Sequence, residues 1–489
     1  MKKDKNKGFI ITYILIFGFV FLLILAGLLS FILSQLRQAK YELAYEQSLH
    51  VAESGLDRYK WYLIQKSQEI FGGEEIGCPP SDCADCAECE YELALPGVGV
   101  VGKYQLEIDE DRSCGVSVAM GVTVIGWTPQ FPDVRRKIRV RYIKPSVAEY
   151  SYILNHDVWA GADRIIMGPY HSNGGIRMDA TNNSLVMSEQ EEWVCTHSYG
   201  CTSCPSDCEW IPGEECVCPG VFTTANGNQD FFRIGSSHFD FEGITVDLGR
   251  IKSLTQPLPE GDGKGLYFPP SDEEGYHVII DDRTLSVSKI TELSRVRAYT
   301  EEEGYHWEYS IISEEGAAIE YILEDCGLIY IEDNVWIEGE IGGRMTLAVA
   351  NLINPEEEVN AWLKGNIEYK YGGNADGFVL ISQQDVLISP DSPQYMDLHG
   401  IFIAQTGKFG INYYSAAWYP SYGKKEELNI YGTIVSNGRV GTQWTSGGSP
   451  VSGYMERENL YNPELGYYPP PFLPCISEEF SYRGWEEIQ

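Results

Sequence analysis

The sequence predicts an α+β, mainly β protein in which a long N-terminal helix precedes a small antiparallel sheet and a β-solenoid-like (β-helix) domain. Residues 9–33 are apolar and uncharged, and residues 34–65 continue without proline. Beyond them the apolar runs are short, alternate with polar residues and are separated by turns. The 489 residues include 50 glycines, 24 prolines and 32 tyrosines, a composition that favours turns and strands.

The first residues predict a membrane anchor. Four lysines and one aspartate lie within residues 1–8, and the apolar run that follows carries no charge. About 25 residues at a rise of about 1.5 Å cross a hydrocarbon core of about 30 Å. The lysines predict a cytoplasmic N-terminus, a single pass through the cytoplasmic membrane and an extracytoplasmic remainder at the cell surface. The anchor residues are Phe9, Ile10, Tyr13, Leu25 and Leu33.

Residues 34–65 predict that the helix continues outside the lipid. Apolar residues recur there at three- and four-residue steps, among them Leu36, Leu43 and Val51. A long helix exposed over half its length needs a partner surface. That surface is either the protein's own globular domain or neighbouring copies in a bundle.

The start of the chain resembles a class III prepilin signal. A lysine-rich leader ends at Gly8, Phe9 opens the apolar helix, and an amphipathic extension follows. The segments Ala52–Leu56 and Trp61–Leu63 resemble the N-terminal region of PilX-like minor pilins. The resemblance covers residues 1–65. It implies cleavage after Gly8 by a dedicated peptidase, which then methylates Phe9.

One position departs from the pattern of major pilins. They usually carry glutamate at the fifth mature position, which is Tyr13 in this chain. The departure favours an initiating, tip or accessory subunit over a bulk fibre subunit. The resemblance therefore implies a non-enzymatic minor pilin that serves pilus assembly or tip display for adhesion. Its partners would be other pilins and the assembly machinery. A type II secretion pseudopilin and a plain signal anchor are the alternatives.

The outer part shows a loose repeat. Short apolar runs follow glycines such as Gly377, Gly400 and Gly432, and the longer intervals between such runs are about 20–35 residues. Stacking such runs as rungs would bury a continuous apolar column, which is the logic of a β-solenoid. A β-sandwich with the same short strands is the alternative.

The sequence patterns, together with what the resemblance implies for the pilin-like parts, divide the chain into six predicted regions. They are a prepilin leader (1–8), a transmembrane and pilin-type helix (9–65), a Cys-rich loop with a pilin-like antiparallel sheet (66–148), a Cys-rich β region (149–260), a β-helix-like domain (261–440) and a Tyr/Pro-rich extended tail (441–489).

Thirteen cysteines predict disulfides in an exported protein. The candidates are Cys78, Cys83, Cys86, Cys89, Cys114, Cys195, Cys201, Cys204, Cys208, Cys216 and Cys218. The Cys-x2-Cys spacings also suit thiolate metal sites, but an outward-facing compartment favours disulfides, so we expect no metal there. Because thirteen is odd, at least one thiol is free or pairs between chains, with Cys326 and Cys475 as the lone candidates.

The charge balance limits the partners. A net charge of −35 disfavours direct nucleic-acid binding. No cofactor is predicted; structural Ca²⁺ is the one ion for which acidic residues offer oxygen ligands. These acidic residues are Glu107, Asp109, Glu110, Asp111, Asp281, Asp282, Asp333 and Asp376.

A second function is compatible with the repeat and the aromatic-rich outer part. It is a surface-anchored β-helix protein that binds or cleaves glycans of a host or another surface, with Asp281 and Asp282 as the acidic pair to consider. HExxH, Gly-x-Ser-x-Gly and Walker motifs are absent from the sequence. We therefore expect no enzymatic activity.

Overall fold

The computed structural model of the chain combines a long helix, a small antiparallel sheet and a large mixed β domain. This confirms the mainly β class that the sequence predicts. The structure describes residues 7–71, 79, 86–113, 116–213, 216–241, 246–257, 263–323, 326–447, 449–477 and 480–488.

The N-terminal helix, Lys7–Phe71, is 65 residues long. Its segment Phe9–Lys66 is long and apolar enough to cross a membrane. The predicted anchor side chains all lie exposed on the helix: Phe9, Ile10, Tyr13, Leu25 and Leu33. None of the described residues covers this half of the helix, which fits its predicted contact with lipid.

The second half of the helix is packed. Its buried residues, from Ala44 to Leu63, recur at three- and four-residue steps and face the sheet. The helix approaches the sheet very closely at Gly126, where an added Cβ would lie 2.5 Å from Ser48 O and Ala52 N. Tyr142 Oη also donates to Leu56 O at 2.9 Å. The predicted extension therefore rests on the protein's own sheet.

The N-terminal sheet contains five antiparallel strands. In spatial order they are Tyr91–Leu95, Gly99–Ser113, Val116–Thr128, Phe131–Ile143 and Ser481–Ile488. The fifth strand comes from the end of the chain, so the large β domain is inserted between the fourth and fifth strands.

The structure corrects the prediction of an extended tail over residues 441–489. This region contains the strands Gln443–Ser446, Ser449–Leu460 and Ser481–Ile488. The last strand pairs with the basic strand Phe131–Ile143, and Glu487 of the last strand forms an ion pair with Arg136. The guanidinium of Arg136 also lies 3.8 Å from the ring centroid of Tyr45 on the helix. Helix, sheet and chain end thus meet at one arginine.

The large β domain comprises the remaining strands of the described residues, most of them in one mixed sheet that counts 23 described strands. They are Tyr152–Leu154, Val158–Ala160, Arg164–Met167, Tyr170–Ser172, Ile176–Met178, Thr181–Asn182, Val186–Ser188, Glu192–Val194, Glu209–Trp210, Cys216–Pro219, Val221–Phe222, Phe232–Arg233, Leu266–Phe268, Tyr276–Asp282, Thr284–Thr300, Gly304–Glu314, Ile319–Ile322, Leu328–Ile331, Val335–Ile341, Arg344–Val349, Ala361–Tyr369, Gly377–Ser382, Val386–Ile388, Tyr395–Ala404, Phe409–Gly410, Tyr413–Tyr414, Lys424–Ser436, Gln443–Ser446 and Ser449–Leu460.

Parallel pairing in register aligns apolar side chains into columns through this domain. The longest column consists of successive ladder partners: Leu266, Ile329, Leu347, Leu380, Phe402, Ile434, Tyr152, Tyr170, Val186 and Phe232. Burying this column produces the main hydrophobic core.

The column also shows that residues 149–260 and 261–440, which we predicted as separate regions, share one sheet. The strand Lys424–Ser436 pairs in parallel with Tyr152–Leu154, which precedes it by more than two hundred residues. Local sequence patterns carry no information about so distant a partner.

Helices are few among the described residues of the outer part. Val246–Thr255 packs on the domain through Leu248 and Ile251, and its Lys252 forms an ion pair with the buried Glu332. The short helices are Pro420–Gly423 and Glu464–Tyr467, and the 3₁₀ turns are Cys86–Glu88, Val147–Glu149, His197–Tyr199 and Gln229–Phe231.

Candidate functional site

The second cysteine cluster forms three disulfides. They join Cys195 to Cys201, Cys204 to Cys216 and Cys208 to Cys218. This confirms the predicted disulfides of that cluster and leaves its thiols unable to bind a metal as thiolates. The bridges tie a loop of short strands around the buried Trp193.

The remaining cysteines are only partly described. Cys86 and Cys89 are disulfide-bonded, as predicted. Cys326 is disulfide-bonded as well, so its prediction as a lone thiol is wrong. Cys475 is exposed. The candidates Cys78, Cys83 and Cys114 lie outside the described residues.

The structure does not gather the acidic candidates into one site. Asp111 forms ion pairs with Arg141 and Arg344, and Asp281 with Lys370. Asp333 and Asp376 accept hydrogen bonds from backbone N–H groups in turns. Within the described part of the chain, the groups of three residues close enough to share a metal ion consist of the disulfide cysteines.

The structure does not test the roles predicted for two pairs of neighbouring residues. Gly8 and Phe9 both lie within the N-terminal helix, while residues 1–6 of the leader lie outside the described part. Cleavage between them therefore stays a prediction. Asp281 and Asp282 end a strand, where Asp282 accepts a hydrogen bond from Tyr371 Oη at 2.7 Å.

A cleft of about 770 Å³ lies where a long hairpin crosses the ends of the stacked strands. The hairpin consists of Thr284–Thr300 and Gly304–Glu314, which pair antiparallel. Residues of both the hairpin and the stack line the cleft, and they include the half-exposed Trp307. The volume of the cleft lies within the range of small-molecule sites, but its wall is more polar than such sites usually are.

A polar ladder forms one wall of the cleft. Asn334 Oδ1 accepts the backbone N–H of Asn360, and Asn360 Oδ1 accepts that of Asp385, both at 2.9 Å. Asp385 Oδ1 then accepts the N–H of Lys408 at 2.7 Å. In three successive steps along the chain, a side chain thus accepts a hydrogen bond from the backbone of the next segment.

A tryptophan pair lies beside the polar ladder. The rings of Trp336 and Trp362 stack with centroids 4.3 Å apart and planes 7° apart. Their positions are ladder partners, two residues after Asn334 and Asn360 respectively. Trp336 is fully buried, so these rings shape the wall and leave contact with a ligand to more exposed groups.

A buried carboxylate ties the hairpin to this wall. Glu308 is 6% exposed and accepts hydrogen bonds from Trp362 Nε1 at 3.2 Å and Asn412 Nδ2 at 2.6 Å. His306 Nε2 lies 3.4 Å from the same carboxylate. The hydrogen bond that His306 donates to the Glu308 carboxylate raises the pKa of His306.

Burial raises the pKa of Asp385 to about 6, and the negative charges of Glu308 and Glu303 add to the effect. The backbone N–H of Lys408 opposes it by stabilising the carboxylate. An acidic wall whose aspartate titrates near neutrality, with Trp307 exposed beside it, suits a polyhydroxylated or cationic ligand.

Sequence reasoning missed the cleft. The signal was present in Asn334-Val-Trp336 and Asn360-Ala-Trp362, which Asp385-Val-Leu387 follows with a similar interval. Read as one repeat, these segments predict a polar ladder with an aromatic column beside it. The hairpin that covers them carries no such signal, because its position depends on pairing with distant strands.

No protein-family model and no curated protein matches this sequence. Among solved structures, the chain is similar to the competence-associated pilin ComZ from Thermus thermophilus, at 12% identity. The alignment covers 91% of this chain and 97% of that one, with a TM-score of 0.28. A superposition at this level carries no argument for function.

Proposed function

We propose that the protein is a minor-pilin-like structural subunit, anchored in the cytoplasmic membrane and assembled with other pilins into a type IV pilus or a related filament. The observation that carries this proposal is the division of the N-terminal helix. Its first half is apolar and exposed, whereas its second half, from Ala44, is buried on an antiparallel sheet. A bare apolar half suits insertion in lipid first and packing against the helices of other subunits afterwards.

The large β domain would be the displayed part. Its parallel, in-register columns support a solenoid-like stack, a stiff shape suited to a tip or spacer. The large domain is inserted between the fourth and fifth strands of the N-terminal sheet, so the anchored sheet holds both of its ends. No catalysis is assigned to it, and adhesion is the role that such display would serve.

The test is the mass and N-terminal sequence of the protein isolated from its native membrane. The proposal expects a mature chain that starts at N-methylated Phe9. A chain that still starts at Met1 in cells with active prepilin peptidase would contradict it. A Gly8→Val variant, expected to stay uncleaved, gives the reference mass for the unprocessed form.

A second candidate function is glycan binding in the cleft. The exposed Trp307 beside the acidic wall favours it, because sugars stack on aromatic faces and donate hydroxyl hydrogens to carboxylates. A glycan array probed with the full-length protein in detergent would find ligands that Trp307→Ala loses. Trp210→Ala, at an exposed tryptophan in the Cys-rich region, is the matched control. Absence of any bound glycan would remove this candidate.

A further inference from the structure

Two arginines lie in line with apolar side chains in a buried column of the large β domain. One buried column runs through successive ladder partners Met396, Leu428, Arg457 and Arg164. Arg164 is 5% exposed, and the side chain of Arg457 is 8% exposed. Buried arginines are rare unless charge and hydrogen bonds compensate them, so the partners of this pair decide what the site can hold.

The partners present do not balance the charge. Arg164 Nη2 donates to Tyr152 Oη and to Asn459 Oδ1, both neutral groups. Arg457 forms an ion pair with Asp163, whose side chain is 44% exposed. In the described part of the chain no other carboxylate forms an ion pair with either arginine. Two guanidinium groups therefore face one carboxylate that water partly screens.

Four buried polar atoms of this cluster have no hydrogen-bond partner among the described residues: Arg164 Nε, Arg457 Nε, Asn459 Nδ2 and Tyr170 Oη. Every one of them can donate a hydrogen, and the three nitrogens can only donate. Buried donors in folded proteins are nearly always satisfied. The missing partner is therefore an acceptor.

Local electrostatics favours a negatively charged acceptor. Burial, together with the neighbouring charge of Arg164, lowers the pKa of Arg457 to about 10, whereas burial is outweighed at Arg164 by Tyr152, Tyr170 and Asp163, which raise its pKa. The ring of Tyr170 lies 4.8 Å from that of Tyr152, centroid to centroid, which keeps its hydroxyl in the same buried cluster. A water molecule would accept hydrogen bonds from the donors but leave the excess positive charge. A small anion accepts the hydrogen bonds and also neutralises that charge.

We propose that Arg164, Arg457, Asn459 and Tyr170 form a buried site for one small monovalent anion, which is chloride in ordinary media. The anion contacts side chains of the strand Arg164–Met167 and of the strand Ser449–Leu460. It therefore links residues near the two ends of the domain sequence.

The test compares thermal unfolding of the full-length protein in detergent in sodium chloride, bromide and gluconate at equal ionic strength. Because an anion that binds the folded state alone raises its stability, both halides should raise Tm by about 2 °C over gluconate. Tyr170→Phe, which deletes one donor, should reduce the halide shift, and Arg457→Met should abolish it. Arg177→Met, at a buried arginine elsewhere, is the control and should lower Tm while keeping the halide shift.

Crystals grown in bromide supply a readout that does not depend on variants. An anomalous peak within hydrogen-bonding distance of the two Nε atoms is the expected result. Equal Tm values for the wild type in all three salts, or ordered water without anomalous signal in the cluster, would overturn the proposal.

Discussion

The two β regions of this protein differ in how each buries its apolar face. In the N-terminal sheet all neighbouring strands are antiparallel, and the second half of the helix covers one face. In the large domain parallel strands align their side chains into columns, and the columns bury one another. The first region depends on one docked element, whereas the second depends on many pairs of parallel strands.

Contacts between charged and aromatic side chains join the two regions, among them Arg141 of the N-terminal sheet, whose guanidinium lies 4.7 Å from the ring centroid of Tyr468. Asp111 of the N-terminal sheet forms an ion pair with Arg344 of the large domain, and Arg483 of the last strand forms one with Glu149. Exposed or half-exposed pairs of this kind add little stability. We therefore expect the two regions to unfold separately, and each prediction below tests that independence from one side.

The largest effect is expected from Phe402→Ala in the stack. Phe402 is fully buried between Leu380 and Ile434, its ladder partners, so truncation leaves a cavity that costs about 4 kcal/mol. Hydrogen exchange should speed up in the stacked strands and stay unchanged in Val116–Thr128. Tyr395→Ala, at an exposed position of the same strand, should change stability by less than about 0.5 kcal/mol. Equal loss of protection in both regions would mean that they unfold as one unit.

A smaller effect, in the other region, is expected from Gly126→Val. A side chain at Gly126 collides with the helix backbone at Ser48 and Ala52, so the helix must move away from the sheet at a cost of about 3 kcal/mol. Protection should fall in the second half of the helix and in the N-terminal sheet, with the stack unaffected. Gly121→Ala is the control on the same strand, since its Cβ would meet Asp109 atoms at an ordinary 3.5 Å. A stable, fully protected Gly126→Val protein would show that the close approach is not required.

The comparison also explains what the sequence could predict. The helix and the antiparallel strands follow from local patterns: an uncharged apolar run, and alternation between turns. The fifth strand, Ser481–Ile488, was missed because its partner Phe131–Ile143 lies more than three hundred residues earlier. Pairing at such a distance leaves no local trace.

The sites were harder to predict than the fold. Glu308 and Asp385 come together only because the hairpin crosses the stack, and sequence reasoning had no means of placing that hairpin. Arg164 and Arg457 resemble surface residues in the sequence, since their burial depends on the register of three strands. Disulfides were easier, because cysteine clustering in an exported chain already predicts them.

The smallest effect concerns Asp385, where the hairpin meets the stack. Its pKa rises from 3.8 to about 6 on folding, so between these pH values the folded chain holds a proton that the unfolded chain releases. Stability therefore falls as pH rises through that window. Asp385→Asn keeps an oxygen for the N–H of Lys408 but cannot ionise, so at pH 7.5 it should exceed the wild type by about 2 kcal/mol and match it near pH 4. Denaturant unfolding across pH measures this difference.

Asp281→Asn, at an exposed aspartate, is the control, and its free energy of unfolding should follow the wild-type dependence on pH. If the free energy of Asp385→Asn ran parallel to both across pH, folding would not raise the pKa of this carboxyl group.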